Sequence, residues 1–296
     1  MSSNGRVPNL FIVGAPKCGT TSLFWYLGEH TDIFVSDNKE PNYFIYDSLV
    51  KNGAYKTKLK RAVKTRKDYL DLYTEAHNEK YVMDGSIFTY FFEDGLKKLK
   101  ALSPDYKAVF LLRNPVERFI SHYKMCVNLG EIKKPIDAFI DEPYAGMGVN
   151  MLELGLYARE IKKTFELLEP ERIHIILLDD LKKDIESVLM SLYEFLDIDK
   201  ALPVNREKIF LKSPGVARNT KLRNAYVNGR FFRLLKKVFR KTPLYKLKNA
   251  INRRLYQAAP ITPGVRQKLY GYYKDDIGEL EKIIGRDLGV WKIYEK

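Results

Sequence analysis

Asn9-Leu-Phe-Ile-Val-Gly14-Ala-Pro-Lys17-Cys-Gly19-Thr20-Thr21-Ser22 decides the fold. Residues 9–14 form a short apolar run ending in glycine, the pattern of a strand buried on both faces of a parallel sheet. Residues 15–20 contain Pro16 and Gly19 and read as a turn, and residues 21–29 set Leu23, Phe24 and Leu27 on one helical face. Strand, glycine loop and helix in that order open a nucleotide-binding α/β unit. At such a junction the first backbone N–H groups of the helix converge on one spot, and the helix dipole favours an anion there. Gly19 lets the backbone approach a phosphate closely. Lys17 adds a positive charge, and Thr20, Thr21 and Ser22 add hydroxyl donors. Cys18 has no histidine or second cysteine near it in sequence and reads as a small filler within the phosphate-binding turn, not as a nucleophile.

Outward from this junction the pattern repeats. Tyr81–Asp84, Lys107–Leu112 and residues 172–178 are apolar runs of strand length, and residues 116–127, 152–168, 182–196 and 263–284 have helical spacing. Pro115 suits the first turn of the helix at residues 116–127. Residues 31–48 read as loop. Serial β-then-α units predict an α/β, P-loop-like three-layer fold with a central, mostly parallel sheet flanked by helices. With no repeat and no linker, residues 1–296 are expected to form one domain with a basic, helix-rich C-terminal part from about residue 205.

The loop departs from a Walker A sequence. Gly14 and Gly19 have the right separation, but Thr20 stands where the lysine belongs, and the loop lysine, Lys17, precedes the second glycine. A P-loop kinase or NTPase remains an alternative, supported by the strand running into Asp179-Asp180, which could end in a Mg²⁺-binding aspartate. The same aspartates also suit a helix cap.

A second anion site is suggested by Val109-Phe-Leu-Leu-Arg113-Asn-Pro115-Val-Glu-Arg118-Phe-Ile-Ser121-His-Tyr123. Arg113 follows a strand, where ligands gather on open α/β sheets. An arginine fork with the Ser121 hydroxyl two helical turns on suits a terminal phosphate. Arg118 reads as structural or peripheral and His122 as a helix-surface or packing residue. Lys39-Glu40-Pro41-Asn42-Tyr43-Phe44 follows the first helix, and Pro41 keeps Glu40 on extended backbone, so on its residues alone it is a surface loop.

The net charge of +14 favours anionic partners. The excess is uneven, since residues 208–274 hold no Asp or Glu. This stretch is either a solvated basic face or a contact for an anionic glycan or a membrane surface. A non-catalytic polyanion-binding module is the second alternative, with nucleic acid the less favoured partner. Two cysteines, Cys18 and Cys126, exclude a disulfide framework and fit a reducing compartment. The first eight residues lack a signal-peptide core, and no run reaches the roughly 18 apolar residues of a membrane span, so a cytoplasmic or otherwise soluble protein is expected.

Taken together, the two motifs resemble those of PAPS-dependent sulfotransferases, in the order that family carries them. PAPS is 3'-phosphoadenosine-5'-phosphosulfate. Pro16-Lys17-Cys18-Gly19-Thr20-Thr21-Ser22 is similar to the loop that holds the donor's 5'-phosphosulfate, and the Arg113–Ser121 run looks like the motif that holds its 3'-phosphate. The resemblance implies Lys17, Cys18, Gly19, Thr20, Thr21, Ser22, Arg113 and Ser121 as donor-binding residues, with PAPS as co-substrate, 3',5'-ADP as product and no metal. Lys39-Glu40-Pro41-Asn42-Tyr43-Phe44 is similar to a segment of the glycosaminoglycan-type enzymes and their bacterial relatives, which implies Glu40 as the base, Lys17 beside it in catalysis, and a carbohydrate hydroxyl or amine as acceptor. Ser213-Pro-Gly215-Val-Ala-Arg218 looks like the late loop that closes over the 3'-phosphate, which implies Gly215 and Arg218 as donor contacts. One departure is Gly85, where many relatives carry lysine.

Overall fold

The structure is a computed structural model that describes residues 5–51, 59, 61–144, 150–200, 216–217, 256–257 and 261–294. The chain runs β1 (Leu10–Gly14), α1 (Thr20–Leu27), β2 (Ile33–Val35), α2 (Tyr46–Lys51), α3 (Arg66–Asp71), β3 (Tyr81–Asp84), α4 (Glu93–Leu102), β4 (Lys107–Leu112), α5 (Pro115–Leu129) and α6 (Ile136–Ile140). It continues through α7 (Tyr157–Leu167), β5 (Ile173–Leu177), α8 (Leu178–Lys183), α9 (Ile185–Leu196), β6 (Val216–Ala217), β7 (Tyr256–Gln257) and α10 (Pro263–Ile284).

Five strands pair in the order β2-β3-β1-β4-β5, and each of the four pairings is parallel. Every residue of β1 and β3 is buried. Successive side chains of a strand point to opposite faces, so both faces of the sheet are covered. The chain leaves β1 toward β2 on one side and leaves β4 toward β5 on the other. The point where the strand order reverses therefore lies between β1 and β4, and a crevice forms outside their C-terminal ends. The β1–Lys17 loop and Arg113 both emerge there.

The sequence reading differs from the structure at several places. It places no helix at α2, α3, α4 or α6, and α2 begins inside the stretch read as loop. Ile33–Val35 is an edge strand paired with β3, not loop. Residues 182–196 are not one helix: α8 ends at Lys183, and Asp184 caps α9 by accepting from Ser187 N–H at 3.1 Å. Residues 152–168 begin with a short 3-10 turn, Glu153–Gly155, before α7. Gly155 there lies so close to Tyr273 that a Cβ would fall 2.9 Å from its ring.

Helix α10 packs on α7 and α5. Tyr273 donates to Leu152 O at 2.9 Å, and Asp276 accepts from Ala158 N–H at 3.2 Å, capping α7 from a distant helix. Burial raises the Asp276 carboxyl to about 6, above the roughly 3.9 of an unfolded chain. The folded state then holds this proton more tightly than the unfolded state, so this group's contribution falls as pH rises from about 4 to about 6. In urea denaturation at pH 4 and pH 6.5, Asp276→Asn is expected to lose less stability across that interval than the wild type.

The C-terminal segment ends on the aspartates after β5. Trp291 Nε1 donates to Asp179 Oδ2 at 2.8 Å, and Arg286 pairs with Asp180 at 2.5 Å. The ion pair is about 40% exposed on each side, and such pairs contribute under about 1 kcal/mol. The indole, 1% exposed, is the stronger anchor, since burying a large apolar side chain stabilises by about 1.5–3 kcal/mol. Among the described residues no helix is long and apolar enough to cross a membrane.

Candidate functional site

The β1–α1 junction is shaped by two left-handed residues, Lys17 at φ 72° and Gly19 at φ 95°. Only glycine adopts that region without strain, so Gly19 is suited to it and Lys17 is held there by its surroundings. Left-handed residues in a turn aim backbone N–H groups at a common concavity. Among the described residues no side chain caps the start of α1, and its first turn holds no acidic residue. Thr20 and Ser22 are buried, and Thr21 is exposed. Cys18 is buried, 3.4 Å from Tyr157 Oη, and burial pushes its thiol up, which suits a filler and not a nucleophile.

Lys17 reaches across to α5, its Nζ 3.4 Å from Met125 Sδ. Burial pushes its ammonium down from the ordinary lysine value, and the Arg113 charge adds to this. A bound anion would oppose both effects by favouring the charged ammonium. Ser121 lies one turn before Met125, four residues away on the same helix, and so shares the face of α5 that meets Lys17. Ser121 is buried.

Arg113 closes the other side. Its Nη1 donates to Lys17 O at 3.4 Å and its Nη2 stands 3.7 Å from Glu117. Arg113 Nε is a buried donor that meets no acceptor among the described residues. Buried donors without partners are rare in native structures, and one beside an anion-shaped turn fits a phosphate. Lys124, whose ammonium is also pushed down by burial and by Arg113, brings a further cation to this face. Glu117 in turn pairs with Arg266 and accepts from Tyr294 Oη at 2.9 Å, tying Arg113 to the C-terminal segment.

Arg118 is fully buried, donating to Met151 O and meeting His122 Nδ1 at 3.3 Å. Arg118 clips α5 to the Met151 segment, and His122, buried on the same helix, packs beside it and does not lie on the surface. Asn114 caps α5, accepting from Val116 N–H at 3.0 Å, with Pro115 at the first helical position.

Glu40 is held by its own segment. Asn42 Nδ2 donates to Glu40 O at 2.7 Å, Asn42 N–H donates to Ser86 Oγ at 2.9 Å, and Gly85 N–H donates to Lys39 O at 3.0 Å. These bonds fasten residues 39–42 to the C-terminal end of β3, next to β1. Asp84, at that strand end, accepts from Tyr69 Oη at 2.8 Å and Ser86 N–H at 2.7 Å, and burial lifts its carboxyl to about 6, with the Glu40 charge adding. The Glu40 carboxylate, 26% exposed, lies 3.4 Å from Lys39 Nζ, which also touches Thr20 and Thr21 of the loop.

The structure thus brings Lys17, Gly19, Thr20, Thr21, Arg113, Ser121 and Glu40 to one end of the sheet. Gly215 and Arg218 lie outside the described residues, as does most of the basic stretch 208–274. The strand between those two, β6, packs against α5. Asp179 and Asp180, the aspartates of the kinase alternative, are engaged by Trp291 and Arg286. Among the described residues no group of three or more His, Cys, Asp or Glu side chains could hold a metal ion. Sequence reading missed Lys39, Lys124 and Met125 as site residues. The available signal was spacing: Lys124 and Met125 follow Ser121 by three and four residues on one helix.

Residues 7–213 match the family model described as the sulfotransferase domain. Carbohydrate sulfotransferase 15 of Mus musculus is 22% identical over 274 residues, covering 73% of this chain and 47% of that protein. The membrane-associated sulfotransferase kil1 of Dictyostelium discoideum is 29% identical over 121 residues, covering 41% of this chain and 23% of that protein. The chain therefore spans under half the length of these curated relatives. The crystal structure of a sulfotransferase from Alicyclobacillus acidocaldarius superposes with a TM-score of 0.71 at 22% identity, covering 97% of this chain and 99% of that one, a likeness of fold.

Proposed function

The chain belongs to the sulfotransferase domain family, and from that premise we propose that it moves a sulfuryl group from PAPS to a hydroxyl or amine of a carbohydrate acceptor, releasing 3',5'-ADP. The observation that carries this reading is the meeting of Arg113 Nη1 with Lys17 O at 3.4 Å, beside the buried, unpaired Arg113 Nε. Two anion-binding elements from different strands then serve one ligand with phosphates at both ends of its adenosine. The carbohydrate acceptor is supported by the Lys39–Glu40 segment and by the mouse relative's name. The same reading takes residues 1–296 as one domain.

Lys17 and the loop amides would hold the 5'-phosphosulfate, and Arg113 with Ser121 the 3'-phosphate. In the reaction the acceptor oxygen or nitrogen forms a bond to sulfur. The bond from sulfur to the 5'-phosphate oxygen breaks, and the acceptor proton passes to Glu40. As in phosphoryl transfer, such a transition state is loose, so positioning and charge stabilisation dominate. Lys17 then offsets the charge gathering on the leaving phosphate.

Thermal denaturation with nucleotides tests the reading. A ligand that binds only the folded state at 100 times its Kd stabilises by about 2.7 kcal/mol, which for a chain of this size raises Tm by about 5 °C. 3',5'-ADP is expected to give that rise, with ADP and ATP giving little. Equal or greater stabilisation by Mg-ATP would favour the kinase alternative, which the engagement of Asp179 by Trp291 disfavours.

A further inference from the structure

Lys39 has no chemical step assigned to it in the reading above, yet it stands between the anion-binding loop and Glu40. Its side chain is 12% exposed. Its ammonium lies 3.4 Å from Thr20 Oγ1, 3.4 Å from Thr21 Oγ1 and 3.4 Å from Glu40 Oε1, with the Phe24 ring centroid at 5.9 Å. It therefore spans the gap between the hydroxyls of the anion-binding loop and the candidate base. The place is built for it. Gly85 N–H holds Lys39 O at 3.0 Å, and a Cβ on Gly85 would fall 3.2 Å from Lys39 Cγ and 2.9 Å from Phe24 Cδ2. Glycine at 85 leaves the room that the Lys39 stem fills.

The contacts to Thr20, Thr21 and Glu40 are each longer than the roughly 2.7–3.2 Å of a well-formed N–H···O bond. A more strongly charged acceptor arriving at the Thr20 and Thr21 hydroxyls can draw the ammonium onto itself. The adjacent Glu40 carboxylate then feels less of the Lys39 charge, and a carboxylate less stabilised by a neighbouring cation is the better proton acceptor.

We propose that Lys39 binds the transferable sulfuryl group of the donor and, in changing partner, releases Glu40 to take the acceptor proton. This rests on the PAPS reading above. It assigns the two lysines separate tasks, Lys17 at the leaving phosphate and Lys39 at the group in transit. No covalent bond is made or broken in the change of partner.

Isothermal titration with PAPS and with 3',5'-ADP, in the absence of acceptor, separates this role from a structural one. The two ligands share both phosphates and differ by the sulfuryl group. Lys39→Met is expected to weaken PAPS by about 10-fold or more, the effect of losing one charge-assisted hydrogen bond, while 3',5'-ADP binds within about 2-fold of wild type on the same reasoning. Lys39→Arg is expected to recover most of the PAPS affinity. Equal losses for both ligands would make Lys39 a structural residue, and no loss for either would remove it from the site; both overturn the proposal. Wild-type protein that binds neither ligand would overturn the PAPS reading itself, and this inference with it.

Discussion

Lys17→Ala is expected to lower turnover by about 100-fold or more, the cost of removing one donor aimed at charge that develops in a transition state. The Lys17 ammonium is largely buried, beside Arg113, in a place where its charge is costly until an anion arrives. Among the described residues its ammonium has one polar contact, to Met125 Sδ, a weak acceptor, so little of the fold depends on it. Lys17→Gly makes the control. The residue has φ 72°, a conformation glycine adopts freely, so this variant should melt no lower than wild type while sharing the loss of turnover. Measuring 3',5'-ADP release alongside Tm for both variants checks the pair. Turnover like wild type in either would remove Lys17 from the chemistry.

The parts of this molecule legible in its sequence are those whose signal is local. A parallel strand buried on both faces is a contiguous apolar run, so β1 and β4 stood out, and the residues that follow each strand were at once candidates for the ligand edge. Arg113 and Ser121 could be read together because they share one strand–helix run, and their pairing with Lys17 on one ligand was implied by the family resemblance. The Ile33–Val35 strand was hidden because three residues between a helix and a proline-containing loop carry too little pattern, and its pairing with Tyr81–Met83 is made across the sheet. Asp184 was hidden because a single capping residue divides α8 from α9 without interrupting the apolar spacing.

Lys39 was illegible for a different reason. Its place is set by Thr20 and Thr21 on one side and by the absent side chain of Gly85 on the other, and no local window contains all of these. The Asp179-Asp180 pair misleads in the opposite sense. Locally it suggests a metal ligand after a strand, but Trp291 and Arg286, more than a hundred residues later, engage both carboxylates. Local chemistry nominates residues, and the long-range partners decide which nominations the fold leaves open.

Glu40→Gln is expected to reduce kcat by about 100-fold to 10,000-fold, the range lost when a positioned general base is removed, while 3',5'-ADP binding is unchanged. Glutamine keeps the length of the side chain and an oxygen for Lys39, and the bonds that hold the segment use the backbone of Lys39 and Glu40, so the loop should stay where it is. The loss should also depend on the acceptor. An aliphatic hydroxyl, with its high pKa, needs a base in the transition state. A phenol with an electron-withdrawing substituent is already partly ionised at neutral pH and needs less help. If Glu40 takes the proton, the variant's deficit shrinks by a large factor on the phenol, whereas a residue that only positions the acceptor loses the same factor on both. An equal deficit on the two acceptors would leave Glu40 as a positioning residue and require another group near the Thr20 and Thr21 hydroxyls to accept the proton.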